Sequence, residues 1–230
     1  MLEEFKRTGV IKKKEYKSGF LKKTSRYISV YIALFLKNYT SITPNQVTLI
    51  ATITGMIVAI LFSIGDHASL IIGAIFFLVY YILDHVDGSL ARMKNMASEY
   101  GTWLDECSDT FVFISVFLGI AIGVYRTTGN AWVWPLAFMA ITSKLFQVIE
   151  YITFTKTFSF AKDVIETQKK KYSLIRHFFY EYSFIVSAII IGAIINQLFY
   201  VMFIFSIIGW PYAMIIFYRF SKHIKRNLRL

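Results

Sequence analysis

The chain has 230 residues, 56% hydrophobic and 18% aromatic, and only 17% are charged, below the quarter usual in a soluble domain. That composition supplies several membrane crossings and leaves too little for a separate soluble domain. The formal net charge of +11 points to the cytoplasmic face of a membrane protein rather than to nucleic acid, and the single Cys107 excludes an internal disulfide.

Residues 1–41 read as a basic cytoplasmic tail followed by an interfacial helix. The start Met1-Leu2-Glu3-Glu4-Phe5-Lys6-Arg7 has no apolar core behind it, so no cleaved signal peptide is expected. Over 20–37, Phe20, Thr24, Tyr27, Tyr31 and Phe35 share one helical face, and Lys22, Lys23, Arg26 and Ser29 fall mostly on another. This is the pattern of an amphipathic helix lying among lipid headgroups.

Thr43-Pro44-Asn45-Gln46 predicts a helix start, with Thr43 as cap and Gln46 closing a capping box. The first span then runs to about Ile64, and Gly65-Asp66-His67 forms a turn. The second and third spans cover roughly 68–92 and 100–125, and the fourth roughly 131–155 after the turn Arg126–Asn130. A basic connector with Lys169-Lys170-Lys171 follows. The stretch 178–218 is long enough for two crossings, at about 20 residues each, broken near Asn196-Gln197. The prediction is an all-α integral membrane protein: six transmembrane helices over residues 42–218, preceded by the amphipathic helix and followed by a basic tail over 219–230. With this assignment 23 of the 25 Lys and Arg fall on one side. The positive-inside rule makes that side the cytoplasm, with both termini there.

Asp84, Asp87, Asp105 and Asp109 stand where the second and third spans meet. Asp84, Asp87, Gly88 and Ala91 share one helical face, as do Gly101, Asp105 and Asp109. Intramembrane carboxylates are costly and functional by default. Four gathered together would repel one another without a cation. Two bridged Mg²⁺ (or Mn²⁺) ions would relieve this and leave positions open for a substrate phosphate, at the cytoplasmic edge of the membrane. Gly88, Ala91 and Gly101 read either as close helix packing or as room for a flat nucleotide, and Arg92 as a snorkelling or topology charge or as a partner for a phosphate or an aspartate.

At these residues the chain resembles the CDP-alcohol phosphotransferase family, whose signature D-x2-D-G-x2-A-R-x8-G-x3-D-x3-D is met at every fixed position from Asp84 to Asp109. The resemblance implies transfer of a substituted phosphate from a CDP-alcohol to an acceptor hydroxyl with release of CMP, on a six-helix bundle that is commonly a homodimer. It implies that Asp84, Asp87 and Asp105 bind metal, and that Asp109 is the base for the acceptor hydroxyl and also touches a metal. It further implies that Gly88, Ala91 and Gly101 admit the cytidine nucleotide. Arg92 is placed beside the nucleotide, and Asn45 joins it through Thr43-Pro44-Asn45, which also looks like the family.

On the acceptor side, Lys144 is the single cation inside a span, with Glu150 off its direct face. A substrate phosphate or a motif aspartate would satisfy it. Lys156, Lys162 and Arg176 flank the cytoplasmic mouth, as anion ligands or as topology charges. Of these, Lys144, Lys156 and Arg176 are the acceptor-binding candidates. His85, between the first two aspartates, is expected to point away from both, and Cys107 reads as a packing residue. The donor is expected to be a CDP-linked lipid, as in phospholipid biosynthesis. The alternatives are a soluble CDP-alcohol such as CDP-inositol or a CDP-amino-alcohol and, distantly, a cation transporter. The partners are then the donor, the acceptor alcohol and membrane lipid, with no nucleic acid.

Overall fold

A computed structural model describes residues 20–161 and 182–228. Among these there are seven helices and no strand: α1 (Phe20–Tyr39), α2 (Pro44–Ile64), α3 (His67–Met93), α4 (Glu99–Thr128), α5 (Val133–Thr157), α6 (Tyr182–Ile194) and α7 (Leu198–Leu228).

Helices α2, α3, α4, α5 and α7 are long and apolar enough to cross a membrane. The sequence predicts six crossings. The described residues hold these five and the shorter apolar α6, whose 13 residues span about 20 Å. The connector residues before it, Lys162, Lys169-Lys170-Lys171 and Arg176 among them, lie outside the described residues, as do residues 1–19. The break near Asn196-Gln197 is present: Asn196 takes φ 56° and the Gln197 amide closes onto the Gly192 carbonyl at 2.6 Å. Helix α7 runs on through Arg219, Lys222, Lys225 and Arg226, so the basic residues from 219 to 226 continue a helix.

The starts and stops follow local chemistry. At α2 the capping box closes in both directions: the Thr43 amide donates to Gln46 Oε1 at 2.8 Å and the Gln46 amide to Thr43 Oγ1 at 3.4 Å. Thr43→Ala should therefore cost about 1 kcal/mol in a detergent unfolding measurement. Gly65 ends α2 in the left-handed region, at φ 88°. Asp66 then caps α3, accepting from the Ser69 hydroxyl at 2.6 Å and its amide at 3.0 Å, which holds the Asp66 carboxyl below the usual carboxylate range.

Helix α1 packs on α3 through small residues, with Ser25, Ser29, Val30 and Ala33 buried. Its aromatic stripe faces away from the bundle: Tyr31, Phe35 and Tyr39 are 53%, 58% and 76% exposed.

Helices α2 and α4 touch almost backbone to backbone. A Cβ on Gly119 would collide with the Ala59 carbonyl, one on Gly123 with the Phe62 carbonyl, and one on Gly55 would stand 2.5 Å from Val112 Cγ1. Small residues let the two backbones approach this closely. The α5–α7 contact is instead aromatic, with Phe146 against Trp210 (ring centroids 5.7 Å apart) and Phe154 stacked on Phe220 (4.2 Å). One apolar core, including Phe62, Phe77, Tyr80, Phe117, Ile120, Ile189 and Met202, joins α2, α3, α4, α6 and α7.

Candidate metal centre

The C-terminal half of α3 and the first turns of α4 bring their acidic faces together beside the start of α2. Carboxylate oxygens of Asp84, Asp105 and Asp109 lie within 4.8 Å of one another. Asp84 and Asp109 stand at hydrogen-bonding distance from each other. Two carboxylates so close need a proton or a cation between them. Oxygen-only donors of this kind suit a hard divalent ion.

Asp87 is placed differently. Its Oδ2 accepts from Thr48 Oγ1 of α2 at 2.7 Å, and its Oδ1 is held by the Gly88 amide. It is buried, and its charge acts on Asp105, so it borders the cluster from the α2 side. Arg92 folds back along α3. Its Nη2 is 3.5 Å from Ser89 Oγ, its Nη1 would be 3.4 Å from a Cβ on Gly88, and its charge acts on Asp87. The space left by Gly88 is thus bordered by a guanidinium. Ala91, one turn on, is half-buried. Across the α2–α4 junction, a Cβ on Gly101 would meet Asn45 Oδ1 at 3.3 Å, so these two nucleotide candidates are neighbours.

Lys94 fastens this end of the molecule. Its Nζ donates to the carbonyls of Thr40 at 3.2 Å and Ile42 at 2.8 Å, tying the α1–α2 connection, and with it Asn45 and Thr48, to the end of α3.

Lys144 of α5 faces α4, and its charge acts on Asp109 and Glu106. Of the two partners expected for it, the motif aspartate is thus at hand. Both Glu150 oxygens are buried with no hydrogen-bond partner among the described residues. Lys156 lies in the last turn of α5, while Arg176 falls outside the described residues. His85 departs from expectation. Its Nδ1 is 3.2 Å from Asp84 Oδ2, because the ring swings back along α3 and packs on Tyr81 at 4.6 Å instead of standing out from the helix.

A family model for CDP-alcohol phosphatidyltransferases matches residues 41–217, from the last residues before α2 to within α7. The chain belongs to that family.

Among relatives, it is 24% identical over 200 residues to the bifunctional IPC transferase and DIPP synthase of Aquifex aeolicus, a match covering 86% of this chain and 40% of that protein. It is 34% identical over 82 residues to the archaetidylinositol phosphate synthase of Pyrococcus horikoshii, covering 36% of this chain and 42% of the relative. The chain therefore spans less than half the length of either relative. In structure it is similar to the Mycobacterium tuberculosis phosphatidylinositol phosphate synthase crystallised with CDP-DAG. That likeness has a TM-score of 0.61 at 18% identity and covers 86% of this chain and 92% of the other, which shows a common fold.

The family signature runs through α3 and α4, and three residues beside it escape a reading of the signature alone. Thr48 sits one turn into α2 and reaches Asp87. Its hydroxyl is also 3.2 Å from the Pro44 carbonyl, but one hydrogen serves one short bond, and the 2.7 Å contact to a carboxylate is the stronger. Arg26 extends from α1, and its charge acts on Asp84. Tyr80 precedes Asp84 by one helical turn and donates to Asp109 Oδ1 at 2.8 Å. Only Tyr80 carries a sequence signal, since positions 80, 84, 87 and 91 form one face. Thr48→Val keeps the shape and removes the bond to Asp87. It should weaken Mn²⁺ binding about tenfold, read by paramagnetic resonance titration.

Proposed function

We propose that the protein is an integral membrane CDP-alcohol phosphotransferase that moves a substituted phosphate from a CDP-linked lipid to an acceptor hydroxyl, releasing CMP, in phospholipid biosynthesis. The observation that carries this reading is the gathering of Asp84, Asp105 and Asp109 from two neighbouring helices inside the family's region. These residues, with Asp87 at their edge, would hold two divalent cations, Mg²⁺ or Mn²⁺. Bound there, the ions would neutralise the donor diphosphate and stabilise departing CMP.

The side chains supply the rest. The bond formed joins the acceptor oxygen to the phosphorus carrying the lipid alcohol, and the bond broken joins that phosphorus to the oxygen leaving with CMP. Asp109 takes the acceptor proton as its oxygen approaches. Asn45 and Gly101, meeting across α2 and α4, and Gly88, Ala91 and Arg92 along α3 border the cytidine nucleotide. Lys144, Lys156 and Arg176 attract an anionic acceptor. Two of the similar proteins are synthases of inositol phosphate lipids by name. An inositol phosphate is accordingly the first acceptor to try.

The bundle would be a homodimer with six crossings, both termini and the site at the cytoplasmic side of the cell membrane, and α1 resting its outward aromatic stripe among the lipid headgroups. The decisive experiment is CMP formation by the purified protein with Mg²⁺ or Mn²⁺, using CDP-diacylglycerol, an archaeal ether analogue, CDP-inositol and CDP-choline as donors, each with inositol phosphate, glycerol phosphate or serine. Turnover with a lipid donor supports the reading. Turnover with CDP-inositol or CDP-choline alone transfers it to the soluble-donor reaction, and no CMP from any pair overturns it.

A further inference from the structure

Two tyrosines, Tyr80 buried and Tyr182 half-buried, form a hydrogen-bonded line that ends on Asp109. Tyr182, at the start of α6, donates to the Tyr80 oxygen at 2.8 Å, and Tyr80, on α3, donates to Asp109 Oδ1 at 2.8 Å. The direction is fixed by counting hydrogens. In its ionised, cation-binding form Asp109 can only accept, so Tyr80 spends its single O–H on Asp109, and its lone pair receives the Tyr182 hydrogen. The rings are locked as well as the hydroxyls. Tyr80 is 1% exposed and stacks on Phe77 with centroids 5.7 Å apart, and Tyr182 meets it edge-on at 6.5 Å. A phenol buried this deeply needs a partner, and a donor that itself accepts a hydrogen bond donates more strongly.

We propose that Tyr80, supported by Tyr182, is a positioning residue that fixes the carboxylate of Asp109, holding Oδ1 on the bundle side so that Oδ2 is presented to the cation and the acceptor hydroxyl. The terminal torsion of an aspartate is broad, so the chain alone leaves the plane of the carboxylate poorly fixed. A single donor at 2.8 Å, mounted on a tightly packed ring, fixes that plane. The line also reaches from α3 and α4 to α6, so a helix that carries none of the four aspartates helps to aim the proposed base. This inference rests on the assignment of Asp109 to the ion site and the acceptor, and the measurement separates the two.

The test uses full-length protein and the variants Tyr80→Phe, Tyr182→Phe, the double variant and Asp109→Asn. Mn²⁺ affinity is read by paramagnetic resonance without substrate, and turnover by CMP release. Tyr80→Phe should weaken Mn²⁺ binding about tenfold and lower kcat about 10- to 100-fold with the donor KM unchanged. Tyr182→Phe should do the same to a smaller degree. The double variant should match Tyr80→Phe alone, because Tyr182 acts only through Tyr80; two merely structural losses would multiply. Mn²⁺ affinity and kcat within twofold of the parent in Tyr80→Phe, or a double variant equal to the product of the singles, overturns the proposal. If Tyr80→Phe does not fold, parental Mn²⁺ affinity and kcat in Tyr182→Phe overturn it. Asp109→Asn with parental turnover and Mn²⁺ affinity would remove the underlying assignment instead.

Discussion

Asp109→Asn is expected to lower CMP release about 10²- to 10⁴-fold while leaving the protein inserted, folded and able to bind Mn²⁺ more weakly. The amide is nearly the same size as the carboxylate, so the packing against Tyr80 is kept. It still offers an oxygen to Tyr80, but it cannot take a proton from an acceptor hydroxyl. Its NH₂ also brings a donor into a cluster that needs acceptors for a cation. The partners of this site sharpen the expectation. Asp109 lies at hydrogen-bonding distance from Asp84 and within reach of the Lys144 charge, so it is the acid on which α3, α4 and α5 converge. The measurement is steady-state CMP formation beside a Mn²⁺ titration on the same preparation. Undiminished turnover would remove Asp109 from the role of base.

The second large effect concerns the scaffold. Gly119→Leu should destabilise the folded bundle by about 3 kcal/mol, lowering the unfolding midpoint in detergent by roughly 10 °C. The obstacle to a side chain there is the Ala59 carbonyl, which is main chain and cannot rotate aside. Helices α2 and α4 would have to separate, and they carry Thr48 and Asn45 on one hand, Asp105 and Asp109 on the other. Mn²⁺ binding should weaken along with stability. Gly129→Asn is the control. No atom lies within 4 Å of its Cβ position, and asparagine tolerates the left-handed φ of 66°. That variant should stay within about 0.5 kcal/mol of the parent. Equal midpoints for Gly119→Leu and the parent would mean that the seam yields more easily than its geometry indicates.

What was legible in the sequence follows the range of the signal. The capping box at Thr43 and the turns at Gly65 and Asn196 are decided by a few neighbouring residues, and they stand where the sequence places them. The approach of Asp84 to Asp105 and Asp109 follows from two short-range periodicities joined by one tight connection, so it too is readable. The bonds from Thr48 to Asp87 and from Tyr182 to Tyr80 cross 39 and 102 residues of chain. No local pattern encodes them; they come from how α2 and α6 pack on α3. His85 departs from the helical expectation for a related reason. Helix periodicity gives the direction of a Cβ, but the ring's final position is chosen by the face of Tyr81, one turn earlier. In α1 the sequence places Ser29 mostly among the polar residues, yet Ser29 is buried, because a helix that packs through small residues hides them more readily than its large ones.

The glycine seam and the aromatic seam divide the molecule mechanically. Where α2 meets α4, carbonyl against Cα, there is no slack to take up, and the pair behaves as one stiff beam. Where α5 meets α7, the contact is carried by the faces of aromatic side chains. All four aspartates stand on α4 or on α3, which packs against α2, whereas Lys144 and Lys156 stand on α5, at the aromatic seam. In the proposed reaction the metal-binding carboxylates would thus be set by main-chain contact, and the lysines proposed for the acceptor by contact between side chains.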